Sequence, residues 1–215
     1  MQNDEPSAPG ATSSSSEPVA APTRKRPKPG ERRVQILQAL AAMLEQPGAE
    51  RVTTAALAAR LDVSEAALYR HFASKAQMFE GLIDFVEQSV FTLVNQIVER
   101  EGPGREQAAR IVAMLVQFAE KNPGMTRVMV GDALVFENER LQSRMNQFFD
   151  KIEATLRQSL RDAAAVDGAT MPSVDAQVRA SALTAFVVGR LQRFARSGFR
   201  RAPSEHLDAA VALML

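Results

Sequence analysis

Residues 53–75 read TTAALAARLDVSEAALYRHFASK, and this stretch decides the fold. Thr53 or Thr54 can cap one short helix and Ser64 a second, because hydroxyl oxygens accept hydrogen bonds from the unpaired N–H groups of a helix start. Residues 61–63 supply the turn between the two helices. This spacing predicts a helix-turn-helix, whose second helix enters the major groove of DNA. An ordinary helical hairpin with a few surface cations remains the alternative.

The charge distribution favours the DNA-binding alternative. The chain has 215 residues and a formal net charge of only +1, yet residues 24–75 carry ten Lys or Arg against five Asp or Glu. A short basic segment on a nearly neutral body is the electrostatic footprint of a module that binds a polyanion. A charged surface that is merely solvated would give the same count, so charge alone leaves both interpretations open.

The side chains of the motif suit particular contacts with DNA. Small residues at 66 and 67 let the second helix approach base edges, whereas hydroxyl and cationic groups suit phosphates. We expect Thr54, Tyr69 and Lys75 to contact phosphates, and residues 64–67 together with Arg70 to contact bases. The predicted DNA-binding set is Thr53, Thr54, Ser64, Glu65, Ala66, Ala67, Tyr69, Arg70, His71 and Lys75.

Residues 1–29 are rich in Pro and Ser and almost lack large apolar side chains. Such a segment buries too little surface to offset its ordering entropy, so we expect it to be disordered. It ends in the basic run Arg24, Lys25 and Arg26. This run is predicted to act as an arm that enters the minor groove of DNA. The alternative is a tail that only increases solubility.

From residue 30 onward the apolar pattern is helical throughout. The predicted fold is all-α, with a helix-turn-helix domain of three helices at residues 30–75 and a helical bundle that dimerises at residues 76–215. Helices are predicted at 125–135 and at 137–165. The second repeats apolar residues at spacings of four and three and loses this repeat at Thr155 and Ser159, which suits either a short coiled coil or an interior helix of the bundle. Its repeat consists of Leu141, Met145, Phe148 and Ile152.

The helix predicted at 174–197 combines small residues with late arginines. Small side chains let a second helix approach closely, so we predict a dimer interface here. An amphipathic helix lying on a membrane surface is the alternative, because Phe194 and Phe199 adjoin the arginines. The predicted interface residues are Ala182, Ala185, Phe186 and Gly189.

Several function classes find no support in the residues. The chain has no Cys, and its two His are far apart in sequence, so we expect neither a disulfide nor a metal centre. No Gly-rich phosphate loop or nucleophile motif is present, so we predict no catalytic residues, no cofactor and no enzymatic activity. No apolar run approaches 18 residues, which predicts a cytoplasmic protein without membrane insertion.

Two groups of residues resemble a known family. The run ALYRHF at 67–72, followed by Ser74 and Lys75, resembles the signature of the TetR family of DNA-binding proteins. The stretches EKNPGMTR at 120–127 and FENERLQSRMNQ at 136–147 are similar to one branch of that family, the nucleoid occlusion factors. This resemblance extends over nearly all of residues 32–201.

The resemblance implies an all-helical homodimer that binds palindromic double-stranded DNA at the nucleoid, with room for several dimers on one site. It also implies that the DNA-bound protein engages the C-terminal tail of the division protein FtsZ and blocks ring assembly. A ligand-responsive transcriptional repressor, the commonest function in the TetR family, is the alternative. Asp62 stands where the family usually has Gly, and we expect it to adopt the left-handed conformation that Asp tolerates.

The resemblance also implies where the FtsZ tail binds. On the helix predicted at 75–101, Phe85 points about 120° away from the apolar stripe, beside Met78. Such a residue either packs against the DNA-binding domain or is exposed for a partner. The branch is expected to hold the tail between this helix and the next. The predicted partner-binding residues are Phe85, Met114, Gln117, Lys121 and Asn122.

Overall fold

The computed structural model of the protein describes residues 30–46, 51–166 and 170–215. All regular elements in these ranges are helices, which confirms the predicted all-α fold. The α-helices are α1 (Glu31–Leu44), α2 (Thr54–Arg60), α3 (Glu65–Tyr69), α4 (Lys75–Arg100), α5 (Arg105–Lys121), α6 (Pro123–Met129), α7 (Glu139–Val166), α8 (Pro172–Arg196) and α9 (Leu207–Met214). A short 3₁₀ helix spans Asp132–Leu134 between α6 and α7.

The helix-turn-helix begins with two capped helices. Thr53, rather than Thr54, caps α2 by accepting a hydrogen bond from Ala56 N at 3.2 Å. Ser64 caps α3 in the same way, at 3.3 Å from Ala67 N. Asp62 lies in the turn with φ 53°, the left-handed conformation that we expected for this position. Both caps satisfy N–H groups that would otherwise lack a partner at the helix starts.

Helix α4 connects the helix-turn-helix to the body of the protein. Its 26 residues span about 39 Å. The predicted apolar stripe from Phe79 to Val94 is buried, but Met78 is fully buried as well. Helix α1 explains this difference, because it packs so closely on α4 that a β-carbon at Gly81 would lie 3.0 Å from Leu37 Cδ1. Met78 therefore belongs to the core and cannot share an exposed face with Phe85.

The body is built around the pair α7 and α8, which pack against each other over their length. The apolar repeat of α7 is buried inside the chain and continues to Leu156 and Leu160, as expected for an interior helix of the bundle. The helix predicted at 125–135 is interrupted, because Gly131 adopts φ 83° and ends α6. A left-handed residue cannot continue a right-handed helix.

The short helix α6 lies between the helix-turn-helix and the body. Gly124 meets α1 so tightly that a β-carbon there would be 2.2 Å from the carbonyl oxygen of Ala41. On its other side, the Arg127 guanidinium lies 5.1 Å from the centre of the Phe199 ring, just after α8.

Among the described helices, none combines the length and the apolar character that a membrane crossing requires.

Candidate nucleic-acid interface and helical groove

The surface of α3 carries most of the predicted DNA-binding side chains. Ser64, Glu65 and Ala66 are exposed at its start, and Tyr69 and Arg70 are exposed at its end. Ala67 is half-buried, and Leu68 is buried and anchors the helix in the core. The helix therefore presents one short polar face while its opposite side is fixed, which is the arrangement that a recognition helix needs.

Two of the predicted residues bind each other. Thr54 Oγ1, in the first turn of α2, donates a hydrogen bond of 2.6 Å to Glu65 Oε2, at the start of α3. This bond fixes the relative position of the two helices. The carboxylate of Glu65 can still accept a hydrogen bond from a base amine through its second oxygen, because an ionised carboxylate has about four acceptor positions.

Lys75 lies at the start of α4, but its ammonium group is not free. It forms an ion pair with Glu137, in the segment just before α7, and lies 5.6 Å from the centre of the Phe79 ring. The two charged side chains retain only 25% and 10% of their exposure. Lys75 must therefore reorient, or share its charge with Glu137, to contact a phosphate. No local pattern indicates this pair, because 62 residues separate its members.

Arg33 of α1 is a residue that the sequence analysis missed. Its guanidinium lies 4.1 Å from the centre of the Phe72 ring, and it donates a hydrogen bond to the carbonyl oxygen of His71. His71 is half-buried, and the hydrogen bond to its carbonyl oxygen holds α1 against the end of α3. Arg33 belongs to the basic segment, which is the one signal that could have found it. The predicted arm of Arg24, Lys25 and Arg26 lies outside the described residues.

The predicted partner-binding residues lie on α4, on α5 and at the residue that follows α5. The two helices pack against each other and are joined by a turn at residues 101–104, so they run antiparallel. With a rise of about 1.5 Å per residue, Phe85 is level with the end of α5 near Lys121, and Leu93 is level with Met114. Phe85 and Leu93 are 48% and 38% exposed. Measured along the axis of α4, these two exposed apolar side chains are about 12 Å apart, and we assign them to the α4 side of the seam between the helices.

Polar groups complete this seam, which we call the α4–α5 groove (Phe85, Leu93, Met114, Gln117, Lys121 and Asn122). Gln117 and Lys121 are exposed, whereas Met114 and Asn122 are half-buried. Asn122 Nδ2 donates a hydrogen bond of 2.7 Å to the carbonyl of Phe118, which fixes the amide. Its side-chain oxygen accepts no described hydrogen bond, so it can accept one from the backbone of a peptide.

Two acidic residues of α4 that flank Phe85 in sequence project toward α7 and are neutralised there. Arg144 donates hydrogen bonds of 2.6 Å to both Glu87 and Asp84. The hydrogen bond with Glu87, and to a smaller extent that with Asp84, raises the pKa of the Arg144 guanidinium although burial opposes the charge. Both carboxylates are therefore paired with a permanent cation. An acidic ligand at Phe85 would meet little net repulsion from them.

The predicted dimer-interface residues lie on the face of α8 opposite to the core. Ala182 and Ala185 are exposed in the single chain, and Phe186 and Gly189 are half-buried. A β-carbon at Gly189 would meet no atom within 4 Å. Val174 and Val178, which are 54% and 63% exposed, extend the same apolar face toward the start of the helix. Exposed apolar side chains in a continuous row are typical of an interface.

Across the described ranges, no cluster of His, Asp or Glu is placed to hold a metal ion.

Two family models match separate parts of the chain. The model described as bacterial regulatory proteins of the tetR family matches residues 36–82, which include the helix-turn-helix. The model described as the tetracyclin repressor-like C-terminal domain, of the SlmA-like type, matches residues 106–215. The two matches together cover α3, most of α5 and all of α8.

Relatives and solved structures agree with these matches. The chain is 49% identical over 189 residues to the nucleoid occlusion factor SlmA of Aliivibrio fischeri, covering 87% of this chain and 96% of that protein. It is 51% identical over 178 residues to SlmA of Photobacterium profundum, covering 82% and 90%. The solved structure of the fatty acid degradation regulator FadR from Bacillus halodurans has a TM-score of 0.70 at 13% identity, covering 88% and 97% of the two chains, and it shows the shared fold.

Proposed function

This chain belongs to the TetR family, within the branch of the SlmA proteins, and from that membership we infer that it is a DNA-binding nucleoid occlusion factor. One observation carries this conclusion: identity of about 50% extends over the helix-turn-helix and over the body together. The fatty acid degradation regulator FadR matches only in fold, at 13% identity. A ligand-responsive repressor therefore has weaker support, and no enzymatic activity is part of the proposal.

The exposed face of α3 is proposed to bind the major groove. In a two-fold dimer, the two recognition helices would contact half-sites about 34 Å apart, which is one turn of the duplex. Ser64, Glu65, Ala66 and Arg70 would contact bases, and Tyr69 would contact a phosphate. The exposure of all five side chains on one short, anchored helix supports this role. Binding to chromosomal sites would place the protein at the nucleoid.

The exposed face of α8 is proposed to form the dimer. Its small residues would allow the backbones of two α8 helices to approach closely, as helix packing requires. The open space at Gly189 supports this role, since no atom of the same chain accounts for the absence of a side chain there. The dimer would also cover Val174 and Val178, which a single chain leaves in contact with water.

The α4–α5 groove is proposed to hold the C-terminal tail of FtsZ. Phe85 and Met114 would provide apolar contacts, and Lys121 would pair with an acidic side chain of the tail. Asn122 would bond to the backbone of the bound segment. Lys121 is exposed and forms no ion pair in the described part of the chain, so its charge is available to an acidic ligand. The DNA-bound protein would then antagonise ring assembly close to the chromosome.

Polymerisation of FtsZ in the presence of this protein tests the proposal. A duplex selected by the protein from random DNA would first be isolated. FtsZ assembly would then be measured by light scattering and sedimentation, with the protein alone, with the selected duplex and with a scrambled duplex. We expect strong inhibition only with the selected duplex. Normal FtsZ assembly in all three mixtures, together with release of DNA by a small ligand, would favour the repressor instead.

A further inference from the structure

A dense group of cations lies at the end of α8 and in the segment that follows it. Its members, which we call the arginine cluster, are Arg190, Arg193, Arg196, Arg200 and Arg201. The surrounding stretch, residues 190–206, contains only one acidic residue, Glu205. None of the five arginines forms an ion pair within the described parts of the chain, so their charge is not balanced locally.

Part of the cluster is held in place by the backbone. Arg190 donates to the carbonyl oxygens of Pro203 and Glu205, and its guanidinium lies 4.6 Å from the centre of the Phe186 ring. Arg200 donates from Nε to the carbonyl of Ser197 at 2.9 Å. Arg193, Arg196 and Arg201 are exposed. The cluster thus combines two arginines that the backbone holds in place with three free guanidinium groups, which suit the bidentate recognition of phosphate oxygens.

An open depression of about 240 Å³ lies within the cluster. It is lined by Arg190, Arg193, Arg201, Ala202, Pro203, Glu205 and His206. Its size is sufficient for a phosphate group, and three of the seven lining side chains are guanidinium groups. Backbone phosphates of a nucleic acid are small anions arranged in a regular row, and the depression is large enough to admit one of them.

The cluster lies at the end of the molecule that carries the recognition helix. Phe199, in the same segment, contacts Arg127 of α6, and α6 packs against α1 of the helix-turn-helix. A second path gives the same result. The segment before α7 is tied to the start of α4 by Glu137 and Lys75, and α8 runs antiparallel to α7. The C-terminal end of α8 is therefore on the DNA side of the body.

The proposed dimer brings two such clusters close together. Arg193 and Arg196 continue the same face of α8 on which Ala185 and Gly189 lie, one to three turns earlier. If this face forms the two-fold interface, the arginines of both protomers gather near the axis. Like charges at short distance repel unless an anion lies between them. The duplex segment midway between the two half-sites would supply that anion.

We propose that the arginine cluster is a second DNA-binding site, which contacts backbone phosphates at the centre of the operator, between the two recognition helices. This inference rests on the proposed dimer and on DNA binding through α3. It adds a sequence-independent contribution to affinity, because phosphate contacts position a protein without distinguishing bases.

The test uses the full-length protein carrying Arg193→Ala and Arg201→Ala together. Affinity is measured by fluorescence anisotropy against salt concentration, on the duplex that the wild-type protein selects and on a scrambled duplex of equal length. We expect a loss of about tenfold or more at low salt on both duplexes, and a salt slope that is smaller by about two units or more. The pair Arg193→Lys and Arg201→Lys, which retains the charge, should keep most of the slope.

The matched control removes two exposed arginines at the opposite end of the body, Arg100→Ala and Arg161→Ala. Equal losses in the control would assign the effect to net charge and overturn the proposal. Unchanged affinity and slope in the first variant, with dimer formation and circular dichroism intact, would also overturn it. The same variant is titrated with vesicles of phosphatidylglycerol, and a loss of binding to the vesicles without a loss of binding to DNA would overturn the proposal as well. Failure of DNA binding through α3 is distinguishable, because the wild-type protein would then select no duplex, and failure of FtsZ antagonism appears only in the FtsZ assembly experiment.

Discussion

Lys75 and Glu137 form an ion pair that ties the first residue of α4 to the segment before α7. The two side chains come from the two parts of the molecule with different proposed roles, the DNA-binding module and the body. A phosphate at the start of α4 would compete with Glu137 for the same ammonium group. If Lys75 contacts a phosphate as proposed, the cost of breaking this pair would be part of the free energy of DNA binding.

Substitutions of this pair should act in opposite directions on DNA affinity. Lys75→Ala should weaken binding to all sequences alike and reduce the salt slope by about one unit per protomer, because each protomer loses one phosphate contact. Glu137→Gln should strengthen binding, because Lys75 becomes available to a phosphate. It should also lower the free energy of unfolding by about 1 kcal/mol, because the ion pair is lost. Anisotropy titrations and urea unfolding measure both effects. Equal weakening by the two substitutions would mean that Lys75 acts only within the fold.

Phe85→Ala and Lys121→Asp should each abolish FtsZ antagonism while DNA affinity stays unchanged. The first removes an apolar contact of the α4–α5 groove, and the second replaces the cation by a charge that repels an acidic tail. Phe136→Ala is the matched control, since Phe136 is 67% exposed but lies outside the groove. FtsZ sedimentation in the presence of the selected duplex is the measurement. Normal inhibition by both variants would place the FtsZ site elsewhere.

Gly189→Leu should weaken the dimer without unfolding the chain. A β-carbon at this position would meet no atom within 4 Å, so the chain itself leaves room for a side chain and we expect the steric cost in the partner. We expect at least about a tenfold loss in dimer association, which is about 1.4 kcal/mol. Thr92→Leu adds similar apolar bulk at an exposed position of α4 and serves as the control. Analytical ultracentrifugation distinguishes the outcomes, and an unchanged association constant would exclude this face of α8 as the interface.

Gly124→Ala should destabilise the protein, because its β-carbon would overlap the carbonyl oxygen of Ala41 on α1. Overpacking of this kind costs about 1–3 kcal/mol, and backbone atoms cannot rotate away as a side chain can. Gly102→Ala is the control, since a β-carbon there meets nothing within 4 Å. Chemical unfolding measures the difference between the variants. If both have the same stability, α1 and α6 are not in tight contact in solution.

Local patterns were sufficient for the helices and for the exposed face of α3. Hydroxyl caps, turn residues and apolar spacing are properties of neighbouring residues, so Thr53, Ser64 and Asp62 could be interpreted from sequence. Met78 could not, because periodicity along α4 alone does not show that α1 covers a second side of the helix. The pairing of Lys75 with Glu137 was also hidden, since it depends on how two distant segments pack.

The predicted helix at 125–135 failed for a more local reason. Gly131 was read as part of a helix, although Gly adopts the left-handed conformation easily and often ends helices. Ser159 was expected to mark the end of the apolar repeat, yet it is buried and donates a hydrogen bond to Gln107. A polar residue on a buried face can be accommodated when a partner on another helix satisfies it, and the sequence of α7 alone does not show that partner.

Helix α6 has a practical consequence for protein engineering. All its residues from Gly124 to Met129 are buried, and it fills the space between α1 and the end of α8. A chimera that transplants only residues 30–100 onto another regulator would leave the Ala41 side of α1 without its packing surface. Such hybrids should therefore be designed with α6 carried over together with the module, or with a host helix that has glycine at the same point of contact.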